Sequence, residues 1–158
     1  MDYDVAIIGA GVVGAMCARS LAKYNLKICI LEKNNDVAMG ASMANSAIVH
    51  AGFDAKEGTL KAKLNVEGSK MMPKVVEDLG VKYINNGSMV VGFSEEDRQV
   101  INTLYDRGIK NGVEDLEIIS GEDARKIEPN LRDDVCVALY AKTRKYSMPL
   151  WINYCSNW

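Results

Sequence analysis

The sequence lacks any long apolar run, since no segment approaches the ~18 residues that a membrane-spanning helix needs. It also lacks a charge excess, because 19 basic and 21 acidic side chains give a net charge of −2. A surface for nucleic acid or for anionic membranes is therefore not expected. A strand pattern that starts at Tyr3 leaves no room for a signal peptide, which predicts a cytoplasmic protein.

Metal-ligand and redox spacings are also missing. The chain has four cysteines without a C-x-x-C pair, and a single histidine, His50. These residues form no recognisable metal-ligand pattern, so no metal site is predicted. The length of 158 residues and the hydrophobic content of 48% are typical of one globular domain.

The beginning of the chain carries a strand, a helix and a second strand. Residues 3–8 are a short apolar run, residues 12–24 have apolar side chains at helical spacing, and residues 27–32 alternate as a strand does. This order over ~30 residues is a βαβ unit, which predicts an α/β fold with a parallel sheet.

Three glycines, Gly9, Gly11 and Gly14, lie where the first strand must turn into the helix. Gly9 permits the tight turn, Gly11 lets the backbone approach a pyrophosphate, and Gly14 allows the helix to pack closely on the strand. The unpaired N–H groups at the helix N-terminus suit a phosphate. The motif therefore predicts a dinucleotide site rather than a glycine turn without a ligand.

Glu32 closes the second strand, at the place where a carboxylate accepts hydrogen bonds from the ribose hydroxyls of an adenosine. The same carboxylate disfavours a 2′-phosphate, so NADP is the least expected dinucleotide. The fingerprint does not separate FAD from NAD. It predicts a Rossmann-like FAD/NAD(P)-binding fold with a parallel sheet.

The middle of the chain predicts a long helix and then a hairpin. Apolar side chains share one face over residues 58–79, where Gly68 and Pro73 are expected to interrupt and bend the helix. The stretch VKYINNGSMVVGF, residues 81–93, is typical of a hairpin that turns at Asn86-Gly87.

A second helix and two strands follow. Ser94 opens a helix that runs to about residue 111, with Asp97 as its capping-box partner and Gly112 as its end. A short strand LEII precedes a small helix capped by Ser120, and residues 135–141 form a last strand. Residues 142–158 show neither helical nor strand periodicity.

The segment after the βαβ unit indicates which of the two dinucleotides, FAD or NAD, is the expected ligand. An NAD dehydrogenase would continue with regular βα units, whereas this chain runs into GASMANSAIVHAGF, a loop of small residues that leads to His50. Here the sequence resembles FAD-dependent amine and hydroxy-acid oxidoreductases, the group with D-amino-acid oxidase and flavin-linked glycerol-3-phosphate dehydrogenase. The stretch NSAIVHAGFDAKEGTLKAKLNVEG, residues 45–68, more closely resembles the L-2-hydroxyglutarate oxidase branch and its glycerol-3-phosphate dehydrogenase-like relatives.

The resemblance implies FAD as cofactor and a small molecule as substrate, a 2-hydroxy acid or glycerol 3-phosphate. It implies that the residues along the FAD pyrophosphate and ribityl chain are Gly40, Ala41 and Ser42, with Asn45 and Ser46 nearby. The strand over residues 47–52 would pass beside the isoalloxazine. His50 would then accept the substrate's hydroxyl proton, a task that suits an imidazole; the other interpretation is a hydrogen-bonded core residue.

The resemblance covers residues 3 to 141, whereas such relatives are much longer. We therefore expect an incomplete fold: residues 1–80 as the N-terminal part of the FAD-binding domain and residues 81–141 as the start of a substrate domain with its hairpin. Residues 142–158 would be an aperiodic tail, which suggests a frameshift near residues 141–144. Reading the coding DNA in its other two frames tests that hypothesis.

Three functions stay open at this point, and with them the question whether this chain alone is an enzyme. The first is the N-terminal portion of a flavoprotein oxidoreductase that transfers a hydride to flavin. The second is a non-catalytic dinucleotide-binding fragment or subunit that needs a companion chain for the C-terminal half. The third is an NAD-binding module, which leaves NSAIVHAGF unexplained.

Overall fold

The computed structural model describes residues 2–142 and 145–147. In chain order the elements are β1 (Val5–Ile8), α1 (Val12–Leu21), β2 (Ile28–Leu31), β3 (Ile48–Val49), α2 (Leu60–Asp78), β4 (Tyr83–Asn85), β5 (Ser88–Gly92), α3 (Glu95–Asn111), β6 (Leu116–Ser120), α4 (Gly121–Ile127), β7 (Val137–Ala141) and β8 (Lys145–Ser147). None of these helices is both long enough and apolar enough to cross a membrane. The chain is a mixed α/β protein, as predicted.

The described residues divide into two compact units. The first contains residues 2–47, 74–83 and 147, and the second contains residues 48–73, 84–142 and 145–146. The division of the chain at residues 80 and 141 stays a prediction.

The first unit contains the predicted βαβ arrangement. Strands β1 and β2 pair in parallel, from Val5 opposite Ile28 to Ile8 opposite Leu31. Helix α1 buries small side chains such as Ala15 and Ala18, which let a helix approach closely. The parallel pair that the sequence predicted is therefore confirmed.

The C-terminal end of α2 is tied to α1 inside the first unit. Arg19 Nη2 donates to Asp78 Oδ2 at 2.8 Å, and Lys74 Nζ lies 2.7 Å from Asp78 Oδ1. The hydrogen bond from Lys74, with the charges of Lys74 and Arg19, lowers the pKa of Asp78.

The second unit has its core around a three-stranded antiparallel sheet of order β5-β7-β6. Strand β7 lies in the middle, and its residues Val137 and Leu139 are fully buried. Phe53 and Ile101 complete the group of largest fully buried side chains. This sheet and the helix α3 hold the second unit together.

Helix α3 begins and ends as the sequence predicts. Ser94 Oγ accepts from the Asp97 N–H at 3.1 Å, and Asp97 Oδ2 accepts from the Ser94 N–H at 3.2 Å, which completes the capping box. Gly112 ends the helix in the left-handed region at φ +80°. Ser120 Oγ likewise accepts from the Asp123 N–H and caps α4.

Two predictions about the middle of the chain are wrong. Strands β4 and β5 flank a turn with Gly87 at φ +70°, but they belong to different sheets and do not form a hairpin. Tertiary pairing decides this, because β5 pairs with β7 along its whole length. Helix α2 also continues through Gly68 and Pro73, so the predicted interruption is wrong, while the bend expected at these residues stays a prediction.

The predicted aperiodic tail contains a strand. β8 pairs antiparallel with β3, with Ile48 opposite Tyr146 and Val49 opposite Lys145. Strand periodicity is not visible over so few residues, so local pattern did not predict it. Residues 143–144 and 148–158 of the predicted tail lie outside the described residues.

Candidate dinucleotide site

The chain turns sharply between β1 and α1 at the three glycines. Gly9 has φ +99°, a conformation that side-chain-bearing residues rarely adopt. Gly11 is the N-cap of α1 at φ −79°, and no side chain caps that helix end from within the turn. The first N–H groups of α1 therefore lie at the end of a glycine loop.

Gly14 lies directly against the turn that precedes its own helix. A Cβ at this position would come 2.0 Å from the carbonyl oxygen of Gly9 and 3.4 Å from a methyl group of Ile7. Only a glycine fits this approach of α1 to β1 without a shift of the backbone. This packing of helix on strand is the one that the sequence predicted for the third glycine.

Ser42 brings a hydroxyl to the N-terminus of α1. Its Oγ accepts from the Val12 N–H at 2.8 Å, and it would lie 3.1 Å from a Cβ on Gly11. A hydroxyl that accepts one hydrogen bond still has its own hydrogen to donate. Because Gly11 has no side chain, the Ser42 hydroxyl can lie beside the N-terminus of α1, where it offers a hydrogen-bond donor.

Glu32 at the end of β2 is hydrogen bonded to the glycine loop. Its Oε2 accepts from the Ala10 N–H at 2.8 Å, and its Oε1 accepts from the backbone and side-chain nitrogens of Asn34 at 2.9 Å. The bond from Ala10, followed by the bond from the Asn34 backbone, lowers the pKa of Glu32. The carboxylate is therefore held ionised, as an acceptor.

The loop after β2 closes one side of this region. The Ala38 N–H donates to the Ala10 carbonyl oxygen at 3.0 Å. Asn45 Nδ2 donates to the Ser42 carbonyl oxygen at 2.7 Å, and its Oδ1 accepts from the Ala47 N–H at 2.8 Å. Asn45 therefore fixes the loop that carries Ser42.

An open groove of about 700 Å³ runs along these elements inside the first unit. Of the predicted site residues it brings together Gly9, Gly11, Gly14, Glu32, Gly40, Ala41 and Ser42. Asn45 and Ser46 are exposed further along the same loop and do not line the groove. Backbone N–H groups, a hydroxyl and an ionised carboxylate in one groove suit a pyrophosphate followed by a ribose.

His50 belongs to the second unit and follows β3 directly. Its Nδ1 lies 3.3 Å from Asp54 Oδ2, and both side chains are about half exposed, at 48% each. The sequence prediction named His50 but assigned nothing to Asp54. A signal was present, because a carboxylate follows the single histidine by four residues.

The glycine turn, the parallel βαβ unit and the groove define an α/β dinucleotide-binding protein. Residues 4–147 match the family of FAD dependent oxidoreductases, and the chain belongs to this family. The family match reaches residue 147, so the predicted end of the resemblance at residue 141 was too early. The frameshift hypothesis stays a prediction.

Two sequence relatives illustrate the similarity. A glycerol 3-phosphate dehydrogenase of Caloramator mitchellensis is 48% identical over 141 residues, which are 89% of this chain and 29% of the relative. A mitochondrial L-2-hydroxyglutarate dehydrogenase of Dictyostelium discoideum is 43% identical over 130 residues, which are 80% of this chain and 29% of the relative. The chain thus spans less than a third of the length of these two relatives.

A solved structure has the same fold. The dithionite-reduced L-alpha-glycerophosphate oxidase of Mycoplasma pneumoniae, with FAD bound, superposes with a TM-score of 0.91 at 31% identity. The match covers 99% of this chain and 42% of that oxidase. The chain corresponds to the N-terminal, FAD-binding part of glycerol-3-phosphate and 2-hydroxyglutarate type flavoprotein oxidoreductases.

Proposed function

We propose that this chain is the FAD-binding portion of an oxidoreductase that oxidises a small 2-hydroxy acid or glycerol 3-phosphate. The observation that carries the proposal is the groove in which the N-terminus of α1, the Ser42 hydroxyl and the Glu32 carboxylate lie together. Membership of the FAD dependent oxidoreductase family supports flavin rather than nicotinamide as the ligand.

The residues fit the pyrophosphate and the ribose of the adenosine diphosphate part of FAD. The pyrophosphate would be held beside Gly11 by N–H groups at the start of α1 and by the Ser42 hydroxyl, with Gly9 making the turn that places them. Glu32 would accept from the ribose hydroxyls, because a carboxylate has acceptor positions beyond those that Ala10 and Asn34 use. Gly40, Ala41, Asn45 and Ser46 would follow the pyrophosphate and the ribityl chain.

FAD, when bound, supplies the acceptor for a hydride from the substrate's C–H bond. We assign His50 the remaining part of that oxidation, the acceptance of the hydroxyl proton. The imidazole is half exposed, so a small substrate and water can both reach the ring. We also keep the predicted cytoplasmic location as part of this proposal, and fractionation of cells that express the protein tests it.

An FAD titration of the purified 158-residue chain tests this proposal. We expect saturable binding with quenched flavin fluorescence and a perturbed visible spectrum, and no binding of NADH at the same concentration. The variant Gly14→Ala should lose FAD binding, because its Cβ would overlap the Gly9 carbonyl. Binding of NADH without FAD would favour the third function, the NAD-binding module.

The second candidate function is a fragment that needs a companion chain. Within the described part of the chain β1 pairs only with β2, and large apolar side chains of the first unit are exposed outside the groove: Tyr24 at 67%, Ile30 at 40% and Leu26 at 39%. Exposed apolar side chains beside an open strand edge favour pairing with further protein.

Co-expression tests the companion chain. The C-terminal part of the Caloramator mitchellensis relative should co-purify with this chain and strengthen FAD binding. The variant Ile30→Lys, on β2 and outside the groove, should abolish co-purification, whereas Ile109→Lys, at an exposed apolar position on α3, should not. Monomeric chains that never associate would contradict this candidate and leave FAD binding as a separate result.

A further inference from the structure

The contact between His50 and Asp54 lies in the second unit and joins the single histidine of the chain to a carboxylate four residues later. His50 Nδ1 and Asp54 Oδ2 are 3.3 Å apart. An ionised carboxylate can accept a hydrogen bond but cannot donate one. As a hydrogen bond, this contact therefore has its proton on Nδ1. The other ring nitrogen, Nε2, then carries the lone pair of the neutral ring.

The backbone that presents Asp54 is fixed by burial on both of its sides. Phe53 and Ala55 are exposed by only 1% and 3%. Gly52 has φ +116°, and a Cβ there would come 2.5 Å from a methyl group of Val66. The segment can therefore shift little without disturbing the core of the second unit.

Helix α3 holds the same segment by hydrogen bonds. Asn111 Nδ2 donates to the carbonyl oxygens of Gly52 at 2.9 Å and Ala55 at 2.8 Å. Arg107 Nη1 donates to the Asp54 carbonyl oxygen at 3.3 Å. These bonds go to backbone carbonyl oxygens and do not use the Asp54 carboxylate. They therefore fix the backbone from which that carboxylate contacts the imidazole.

We propose that Asp54 is a positioning residue for His50, holding the ring in its Nδ1–H tautomer so that Nε2 is the atom that accepts a proton. This inference rests on the proposed function of His50. In that function FAD would supply the hydride acceptor and Nε2 would accept the hydroxyl proton of the substrate alcohol, so that the alcohol becomes a carbonyl product. The carboxylate also stabilises the imidazolium that results, as an oriented acceptor does in other acid–base sites.

The tautomer can be measured without FAD, substrate or turnover. Long-range ¹H–¹⁵N correlation spectra of the ¹⁵N-labelled 158-residue chain, recorded at about pH 9 where a free imidazole is neutral, distinguish the protonated from the unprotonated ring nitrogen. Because the chain has one histidine, the assignment is unambiguous. We expect the proton on Nδ1.

Asp54→Asn tests the role of the carboxylate. An amide can donate to Nδ1 as well as accept from it, so the Nδ1–H tautomer is no longer enforced, and we expect the Nε2–H signal to appear. Asp54→Glu, which restores a carboxylate, should recover at least part of the Nδ1–H signal. Asp106→Asn, the same change on α3, is the matched control and should leave the tautomer as in the wild type.

The tautomer measurement can be interpreted independently of protein stability and of FAD binding. The Asp54 side chain is 48% exposed and its backbone contact with Arg107 does not depend on the carboxylate, so unchanged far-ultraviolet circular dichroism is expected for every variant. A proton on Nε2 in the wild type, or no change in Asp54→Asn, would overturn the positioning role even where FAD binds. Failure of FAD binding with the expected tautomers would overturn the proposed function and leave the positioning of the ring intact.

Discussion

The carbonyl oxygen of Gly9 occupies the space that a side chain at Gly14 would need, 2.0 Å from the position of a Cβ. The two residues belong to the same glycine turn, one at its start and one in the first turn of α1. Their contact sets how closely α1 approaches β1, and with it where the N–H groups of the helix end lie.

Gly14→Ala should therefore destabilise the first unit and abolish FAD binding. Overpacking costs about 1–3 kcal/mol, so we expect a lower midpoint in urea unfolding together with loss of the flavin spectrum. Gly68→Ala on α2 is the control, because a Cβ there meets nothing within 4 Å and alanine is the better helix former, so neither stability nor FAD binding should fall. Equal effects of the two changes would contradict this account of the turn.

Ser42→Ala should weaken FAD binding by about tenfold, which corresponds to the loss of one hydrogen bond to a charged phosphate group. Isothermal titration calorimetry gives the dissociation constant directly. Ser20→Ala provides a control on α1, because the Ser20 hydroxyl donates to the Met16 carbonyl within the helix. An unchanged affinity in Ser42→Ala would remove this hydroxyl from the pyrophosphate site.

Glu32→Gln should make the stability of the chain less dependent on acidic pH. Hydrogen bonds, first from Ala10 and then from Asn34, lower the pKa of Glu32 in the folded state from its ordinary value of 4.5. The ionised carboxylate therefore stabilises the fold above that value, and this contribution is lost as the pH falls through the lowered pKa.

The measurement is the urea midpoint of both proteins between neutral pH and about pH 3. The urea midpoint of the wild type should be higher than that of Glu32→Gln at neutral pH, and the difference between the two midpoints should shrink as the pH is lowered. A difference that is constant or grows toward low pH would show that the hydrogen bonds of Glu32 do not favour its ionised form.

Ser94→Ala should destabilise the second unit by about 1 kcal/mol, the ordinary cost of losing an N-cap side chain. Thermal unfolding followed by circular dichroism measures the effect. Thr103→Ala lies on the exposed middle of the same helix, where alanine is the better helix former, so it should leave stability unchanged or slightly raised. An unchanged midpoint of thermal unfolding in Ser94→Ala would mean that the capping box contributes little to the stability of α3.

Local chemistry was sufficient to predict several elements. The parallel βαβ unit follows from a change of hydrophobic period around three glycines, and the capping box at Ser94 and the helix end at Gly112 follow from residue types at fixed spacing. Each of these features depends on residues that are close in sequence. Family resemblance added the flavin, which neither spacing nor period can distinguish from NAD.

Partners distant in sequence were not predictable in the same way. Asn86-Gly87 makes a turn, but the strand after it pairs with β7, whose partner residues lie 45 to 53 positions later, and both strands contribute side chains to the core of the second unit. The hydrogen bonds from Asn111 to the segment beside Asp54 span more than fifty residues. No local pattern in the sequence indicates which carbonyl oxygens an asparagine on a helix will reach.

The central position of β7 affects how the chain folds during synthesis. Both of its partner strands precede it, and Val137, Ala138 and Leu139 are fully buried between them. During synthesis β5 and β6 lack their common partner strand until residue 141 has left the ribosome. The elements β1, α1 and β2, in contrast, are all synthesised within the first 31 residues. The sheet of the second unit is therefore completed much later in synthesis than the parallel pair β1–β2, and its unpaired strand edges are exposed until then.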